Sequence, residues 1–367
     1  MSTSLLGLRL RSLKYVLVFL TPAVVLMSLQ SEGLWMWSAP VVLFGLIPLA
    51  EAFTRGSERN LSRMEEEVVR HDRTYDLFLY SLLPVQYVIL YIFLERVSEP
   101  GILWYQRVSA VIAYGLAAGV LGINAAHELG HRPTRVERVM SRALLLTSLY
   151  MHFHIEHNRG HHARVATPDD PASARKGEHV YSFFIRSVRD GWRSAWDLES
   201  MRLRNHGHSF LSWRNEMLIN HLIQVGLLAF IVLQYGAHTA ACFLGGAIIG
   251  ILLLEAVNYI EHYGLSRLRT DHGYERTTPM HSWNSNHPVG RLLLLELSRH
   301  SDHHYAASRK FQVLRHHQES PQMPTGYPGM ILMALVPPVW FRIMDARLEI
   351  PHPALPAAAV LPSAPVR

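Results

Sequence analysis

One cysteine, Cys242, stands in the whole 367-residue chain. It excludes an intramolecular disulfide, and it excludes a cysteine-ligated iron–sulfur cluster built within one such chain. Charge is scarce as well: 17% of residues are charged, against roughly 25% in ordinary soluble domains. Neither a Gly-x-Gly-x-x-Gly dinucleotide fingerprint nor an internal repeat occurs. The chain therefore carries no cluster or nucleotide site with which to generate its own electrons. The net charge of +6 does not point to nucleic acid, because the basic residues lie between apolar runs. They read as topology signals and as a face for anionic lipid or an acidic partner.

What is present is apolar sequence, 49% of the chain, at a mean hydropathy of only +0.08. That balance fits a membrane bundle with a large polar cap on one side. Runs near 20 residues match a hydrocarbon core of about 30 Å. The spacing predicts spans over 15–29, 34–53, 77–94, 102–128, 217–235 and 239–263. The run 143–153 is too short to cross and reads as an interfacial or buried helix. The run 327–343 carries Pro328, Pro337 and Pro338 and reads as a re-entrant or interfacial element rather than a seventh span. Arg9, Arg11 and Lys14 precede the first run without a clear cleavage pattern, so that span is retained, with the N-terminus inside. Six spans then put 54–76, 131–216 and everything after 263 on the same side, where nearly all Lys and Arg fall. The expected fold is an all-α integral membrane bundle of six transmembrane helices with a cytoplasmic histidine-rich cap and both termini cytoplasmic. Residues 1–14 form a cytoplasmic tail, 15–350 one membrane domain, and 351–367, rich in Pro and Ala, a flexible tail.

Four histidine clusters land on that cytoplasmic side. They are His127-Glu128-Leu129-Gly130-His131; Glu156-His157-Asn158-Arg159-Gly160-His161-His162; Asn258-Tyr259-Ile260-Glu261-His262; and His300-Ser301-Asp302-His303-His304. Together they supply nine of the 23 histidines, too many for one ion of four to six ligands and natural for two. Imidazole suits iron, copper, zinc and nickel, whereas magnesium and calcium prefer oxygen. His127 and His131, four apart, share one helix face and can reach one ion. His157, His161 and His162 repeat that spacing and add an adjacent ring. Neighbouring helical residues point about 100° apart, so His161 and His162 can serve different ions. His300, His303 and His304 follow the same pattern. Metal-bound imidazole donates its other N–H to an acceptor, and Glu128, Asp170, Glu255, Asn258, Glu261 and Asp302 are the candidates. His152, His154, His206, His208, His281, His316 and His317 read as structural.

Two other readings compete. His127-Glu128-x-x-His131 also matches the zinc metalloprotease pattern, with Glu128 as general base, but leaves seven clustered histidines idle. A metal transporter would place its ligands near the bilayer midplane on broken helices, whereas these gather at helix ends. A dry site with so many imidazoles favours redox chemistry on an apolar substrate over hydrolysis.

The four clusters, with Arg164-Val165-Ala166-Thr167-Pro168-Asp169-Asp170-Pro171, Asn258–Leu265 and Tyr274-Glu275-Arg276-Thr277, resemble the bacterial alkane 1-monooxygenases (alkane omega-hydroxylases). These are membrane histidine-rich di-iron enzymes related more distantly to membrane fatty acid desaturases and xylene monooxygenase. The likeness runs from about Gly122 to Gly326, and the three residues between His157 and His161 separate it from desaturases, whose second box usually has two. It implies two non-haem Fe ions on His127, His131, His157, His161, His162, His262, His300, His303 and His304. It implies terminal hydroxylation of medium- to long-chain n-alkanes with O2 in the bacterial inner membrane. It also implies electrons from rubredoxin, itself reduced by an NADH-dependent reductase. A related hydrocarbon or fatty acyl hydroxylase or desaturase is the alternative. Arg132, Ser298 and Tyr305 depart from the family's usual residues, and Tyr305 is expected to narrow the site or change its hydrogen bonding.

Two consequences concern selection and supply. A hydrocarbon offers no hydrogen bond, and a pocket distinguishes one methylene by only about 1–3 kcal/mol, so a range of chain lengths is expected. Trp35, Trp37, Phe44 and Leu49 in the second span are candidates for closing the channel. Arg132, Arg135, Arg138, Arg142, Arg159, Arg164, Arg186, Arg189, Arg193, Arg202, Arg204 and Arg299 surround the histidines. Some should pair with Glu137, Asp190 and Glu199, and others form a docking surface for an acidic electron carrier.

Overall fold

The computed structural model describes residues 5–349, so the expected tail over 351–367 lies outside the described residues. Among the described residues the protein is mainly helical, with a two-residue ladder pairing Arg269–Thr270 with Gly273–Tyr274 and an isolated bridge between Asn284 and Gln322. Among the described residues, five helices are long and apolar enough to cross a membrane: Arg11–Gln30, Gly33–Ala52, Arg73–Ser98, Trp104–Gly130 and Glu216–His262. The last has 47 residues. At 1.5 Å per residue that is about 70 Å, more than twice a hydrocarbon core. It is broken at Gly236, whose φ of 85° and ψ of 163° are not helical. Glycine takes that backbone without a Cβ penalty. The two arms, 216–235 and 237–262, are the expected fifth and sixth spans.

Tyr327–Ala334 and Pro337–Leu348 meet at a bend of 119°, as the prolines in this run suggested. The expectation for 143–153 needs correction. Arg135–Leu146 ends in a turn with Leu149 at φ 53°, and a new helix starts at Phe153. The apolar run is thus the end of one helix and a buried corner, not one helix.

Small residues bring the fourth span against the sixth. A Cβ on Gly115 would lie 2.5 Å from Ile249 Cβ, one on Gly246 would lie 2.5 Å from Tyr114 Cδ1, and one on Gly250 would lie 2.9 Å from Ala118 Cβ. In a bilayer, close van der Waals packing of this kind replaces the hydrophobic drive between helices. It aligns the ends of these two spans, and those ends carry His127, His131 and His262. The amphipathic helix Val180–Asn205 then packs across the sixth span and closes the cap, with Phe183 stacked edge-on to Tyr259 at 5.4 Å. A second core of aromatic residues, including Tyr259, Tyr263, Tyr327 and Trp340, lies beneath it.

Three stretches widen from α to π geometry: Val42–Leu46, Ala117–Ile123 and His157–His161. Single π turns inside helices recur at functional sites. The first two border the main cavity, and the third carries two of the clustered histidines.

Candidate metal centre

All nine clustered histidines converge, and they do so as two groups. His127, His131, His157, His162 and His303 form one; His161, His262, His300 and His304 form the other. Within each group one ligand atom per residue lies within 4.8 Å of every other. Nearest Nε2 atoms are 3.0 Å apart for His127 and His303, 2.9 Å for His131 and His157, and 3.0 Å for His157 and His162. In the second group they are 3.1 Å apart for His161 and His304 and 3.2 Å for His262 and His300.

These separations fit metal ligation. Two nitrogens each about 2.1 Å from an ion and 90° apart are about 3.0 Å from each other. Hydrogen bonding between rings does not account for them. His157 Nε2 faces both His131 and His162, and one imidazole nitrogen carries at most one proton. A shared cation satisfies all of them. The donor set is nitrogen-rich, which suits iron, copper or zinc.

The partition corrects the sequence reading of the second box. His157 and His161 were expected to act as an i, i+4 pair on one ion. The π turn over His157–His161 instead sends His157 with His162, five residues on, to the first group and His161 to the second. Gly160 permits this turn: a Cβ there would meet the Arg164 guanidinium and the Glu156 carboxylate. The expectation that His161 and His162 diverge matches the geometry. In the last box His300 and His304 stay together and His303 turns to the five-histidine group.

The acceptors behind the rings differ from residue to residue. Asp170 Oδ2 lies 2.9 Å from His161 Nδ1 and also accepts from the Ser173 hydroxyl at 2.6 Å. Glu261 lies on the other side of its ring: its Oε2 is 3.1 Å from His300 Nε2, and its Oε1 accepts from Tyr327 at 2.6 Å. Glu255 and Asn258 bond each other at 3.3 Å, and Glu255 accepts from Tyr150 at 3.0 Å. Glu128 accepts from Arg132 and from the Phe311 N–H. Asp302 accepts from His317, Arg309 and the Arg315 N–H rather than from a clustered ring. Nδ1 of His300 and of His304 is buried with no acceptor among the described residues. Tyr305 does not narrow the site; it is 54% exposed and packs against His317.

Electrostatics favours neutral rings. Burial first, and neighbouring imidazoles second, hold His157, His162, His300, His303 and His304 well below the usual histidine range. The same causes take His131 down to about 3. Burial acts on His161 in the same direction, but the Asp170 carboxylate outweighs it and raises the ring, while Asp170 itself falls to about 2. Neutral imidazole is the ligand form, so the six lowered rings are presented ready to bind, whereas His161 releases a proton on binding.

Two cavities reach residues of both groups. The larger, about 790 Å³, is walled by Leu43, Phe44 and Ile47 of the second span and by Leu253, Leu254 and Val257 of the sixth, and it reaches His127, His157 and His300. It touches both groups. The smaller, about 340 Å³, has Glu156, Glu255 and Tyr150 in its wall beside His157 and His161. Of the aromatic residues expected to close a channel, Phe44 lines the larger cavity. Trp35 and Leu49 are exposed at 66% and 57%. Tyr327, which steadies Glu261 at the cavity's inner end, was missed: 66 residues separate the two, and no local pattern links them.

A fatty acid desaturase family profile matches residues 102–333. The chain is 40% identical to alkane 1-monooxygenase 2 of Pseudomonas aeruginosa over 320 residues, 86% of this chain and 84% of that protein. It is 39% identical to alkane 1-monooxygenase of Acinetobacter baylyi, covering 84% and 76% of the two chains. With alkane 1-monooxygenase 2 of Alcanivorax borkumensis it shares 36% over 91% and 88%. The chain belongs to the alkane 1-monooxygenase family. Its members are oxidoreductases, and the residues of both histidine groups fall within the matched region. The family assignment also bears on the metalloprotease pattern: Glu128, which a protease would need as a free base, is tied to Arg132 by a 2.7 Å ion pair.

Proposed function

We propose that this chain hydroxylates the terminal methyl of medium- to long-chain n-alkanes to 1-alkanols, with O2 and two electrons from rubredoxin, in the bacterial inner membrane with the cap cytoplasmic. The observation that carries the proposal is the apolar cavity that ends on both histidine groups. Nine histidines, His127, His131, His157, His162 and His303 in one group and His161, His262, His300 and His304 in the other, would hold two iron ions. Bound iron with open positions supplies the O2-activating redox chemistry.

The residues around it bind, orient and exclude water. Leu43, Phe44, Ile47, Leu253 and Leu254 enclose the chain of the substrate by shape alone. Polar groups occur where the cavity meets the histidines, as Asn124, Asn258, Glu261 and Tyr327. A substrate lying along the apolar walls therefore presents its end, not its middle, to the centre. No Lys or Arg is among the lining residues, so nothing there neutralises a fatty acid carboxylate. That favours a hydrocarbon over the fatty acyl alternative.

Electrons would enter through the cap. Seven of the nine histidines are buried, and His131 and His162 are partly exposed. His131 floors an open cleft edged by Arg135 and Arg138 and by Arg142 and Arg159, the last two paired with Glu216 at 2.6 and 3.2 Å. Val136 and Val139 beside them are 69% and 64% exposed. Apolar contacts ringed by cations suit a small, transient, charge-steered redox encounter. The wider arginine set of the sequence reading shrinks accordingly. Arg132 and Arg299 are buried, Arg186 is held by Glu178, and Arg189 and Arg193 pair with Asp190. Glu199 pairs with Arg159 and Arg202, whereas Glu137 takes Thr134 and Tyr80 rather than an arginine.

The deciding experiment is purification, iron per chain, and assay of octane and hexadecane with O2 and a reducing system. About two irons and 1-alkanol are expected. His262→Ala should lose iron and activity, and His316→Ala neither. Full iron and activity in His262→Ala would sink the assignment, and zinc with peptidase activity would support the protease instead.

A further inference from the structure

A second polar pocket lies apart from both cavities at the centre. It forms where the start of the first span meets the turn before the last histidine box. Arg11, Lys14 and Arg59 stand at its rim, and Arg291, Arg299 and Gln312 are buried within it. Five cations therefore face one space of about 370 Å³. The carboxylates that meet them are Glu296 and Glu65. Glu296 takes Arg291 at 2.6 Å, Lys14 at 3.7 Å and Arg299 at 3.9 Å. Glu65 lies 3.6 Å from both Arg11 and Arg59. Positive charge exceeds negative, and it does so in a partly dry place where excess charge is costly.

The polar atoms inside are incompletely satisfied too. Gln312 is 6% exposed, and neither its amide nitrogen nor its amide oxygen has a partner. Arg299 is 3% exposed and its Nε has no hydrogen bond. Buried donors without acceptors are rare in folded proteins. The missing component has negative charge and several acceptor oxygens.

We infer that this pocket binds a phosphate group, presented either by an anionic phospholipid headgroup or as free phosphate. Position favours the headgroup. Arg11 begins an apolar run that crosses to Gln30, so the pocket mouth opens where a span leaves the bilayer. Basic pockets between spans bind phospholipid headgroups by charge and geometry. Arginine's planar fork matches phosphate oxygens in pairs.

Occupancy would bear on the centre. Leu295 and Glu296 hold left-handed backbone, at φ 51° and 58°, an unfavourable conformation for side-chain-bearing residues. Glu296 is anchored there by Arg291 and by the Tyr15 hydroxyl at 2.6 Å. This turn sits between Leu293, Leu294 and Leu297, which wall the substrate cavity, and Arg299, which precedes His300. An anion relieving the cation excess would steady that turn.

The test uses the purified full-length protein in nanodiscs of phosphatidylcholine alone, of phosphatidylcholine with phosphatidylglycerol, and of phosphatidylcholine with added inorganic phosphate. Thermal unfolding, native mass spectrometry of retained lipid, and acetylation of Lys14 by an amine-reactive reagent are read in each. Phosphatidylglycerol should raise the unfolding temperature, remain on the protein as one molecule per chain, and protect Lys14 severalfold. Lys14→Gln with Arg11→Gln should cut retention at least tenfold, and Arg189→Gln with Arg193→Gln on the cap helix should not. If inorganic phosphate alone stabilises and protects Lys14 equally, free phosphate occupies the same site. Lys14 acetylation and stability indifferent to both additions in the wild-type protein would overturn the inference. Equal loss in the cap-helix variant would overturn it too, by showing diffuse charge attraction. The Lys14 protection needs no variant to fold.

Discussion

Asp170→Asn separates the two histidine groups. The Asp170 carboxylate is buried, lies 2.9 Å from His161 Nδ1, and is fixed by the Ser173 hydroxyl at 2.6 Å and the Ala172 N–H at 3.2 Å. It selects the tautomer that leaves His161 Nε2 free to bind and adds electron density to the ring. Asparagine keeps the shape and removes the charge. Losses of an acceptor behind a metal-bound histidine typically cost about 10–100-fold in metal affinity, about 1.4–2.7 kcal/mol. His161 belongs to the four-histidine group alone, so the cost should fall on one ion. The assay is chelator titration of iron- or zinc-loaded protein with metal per chain counted at each step. One metal should leave at roughly 10–100-fold lower chelator than in the wild type, and the other at an unchanged concentration. Equal weakening of both metals, or of neither, would refute the partition drawn from the π turn.

Phe44→Ala should lengthen the alkanes accepted, because Phe44 walls the cavity while Trp35 and Leu49 face outward; an unchanged product profile after Trp35→Ala is the matching control. Charge reversal at Arg135 and Arg138 should raise the apparent KM for rubredoxin severalfold with iron content intact. Rubredoxin-driven rates should fall as salt rises, since exposed charges are screened over about 8–10 Å, and rates with a saturating chemical reductant should not; a salt-independent rubredoxin rate removes the docking model. Acid should destabilise the metal-free protein. Burial takes His152 and His154 down to about 3, so between about pH 6.5 and 3 the unfolded chain binds protons that the folded chain does not. Stability should be intact above about pH 6.5 and fall by about 1.4 kcal/mol for each of these two histidines by pH 5.5. An acid dependence of the denaturation midpoint that is the same in the wild type and in His152→Gln with His154→Gln would contradict this.

The set of clustered histidines and its division into two groups had different origins. Residue type and local spacing were enough to pick out the nine histidines and the apolar runs. Imidazole chemistry is a property of the side chain, and an i, i+4 pair such as His127 and His131 meets on any α-helix. The same rule misassigned His157 and His161, because the helix widens there and Gly160 with the Glu156–Arg164 pair makes room for it. A local hydrogen-bond shift of one residue redirects a ring from one histidine group to the other, and nothing in the spacing announces it. The break at Gly236 was legible as two runs. The close contacts of Gly115 with Ile249 and of Gly246 with Tyr114 were not, although they bring the first and third boxes to one level. The substrate cavity draws on residues from Leu43 to Ile331. Such a wall has no period and no motif; it exists only once the spans have packed. Chemistry was thus written in short segments, whereas shape, partition and the cationic pocket under the last box arise from contacts between segments far apart in the chain, which tertiary packing alone brings together.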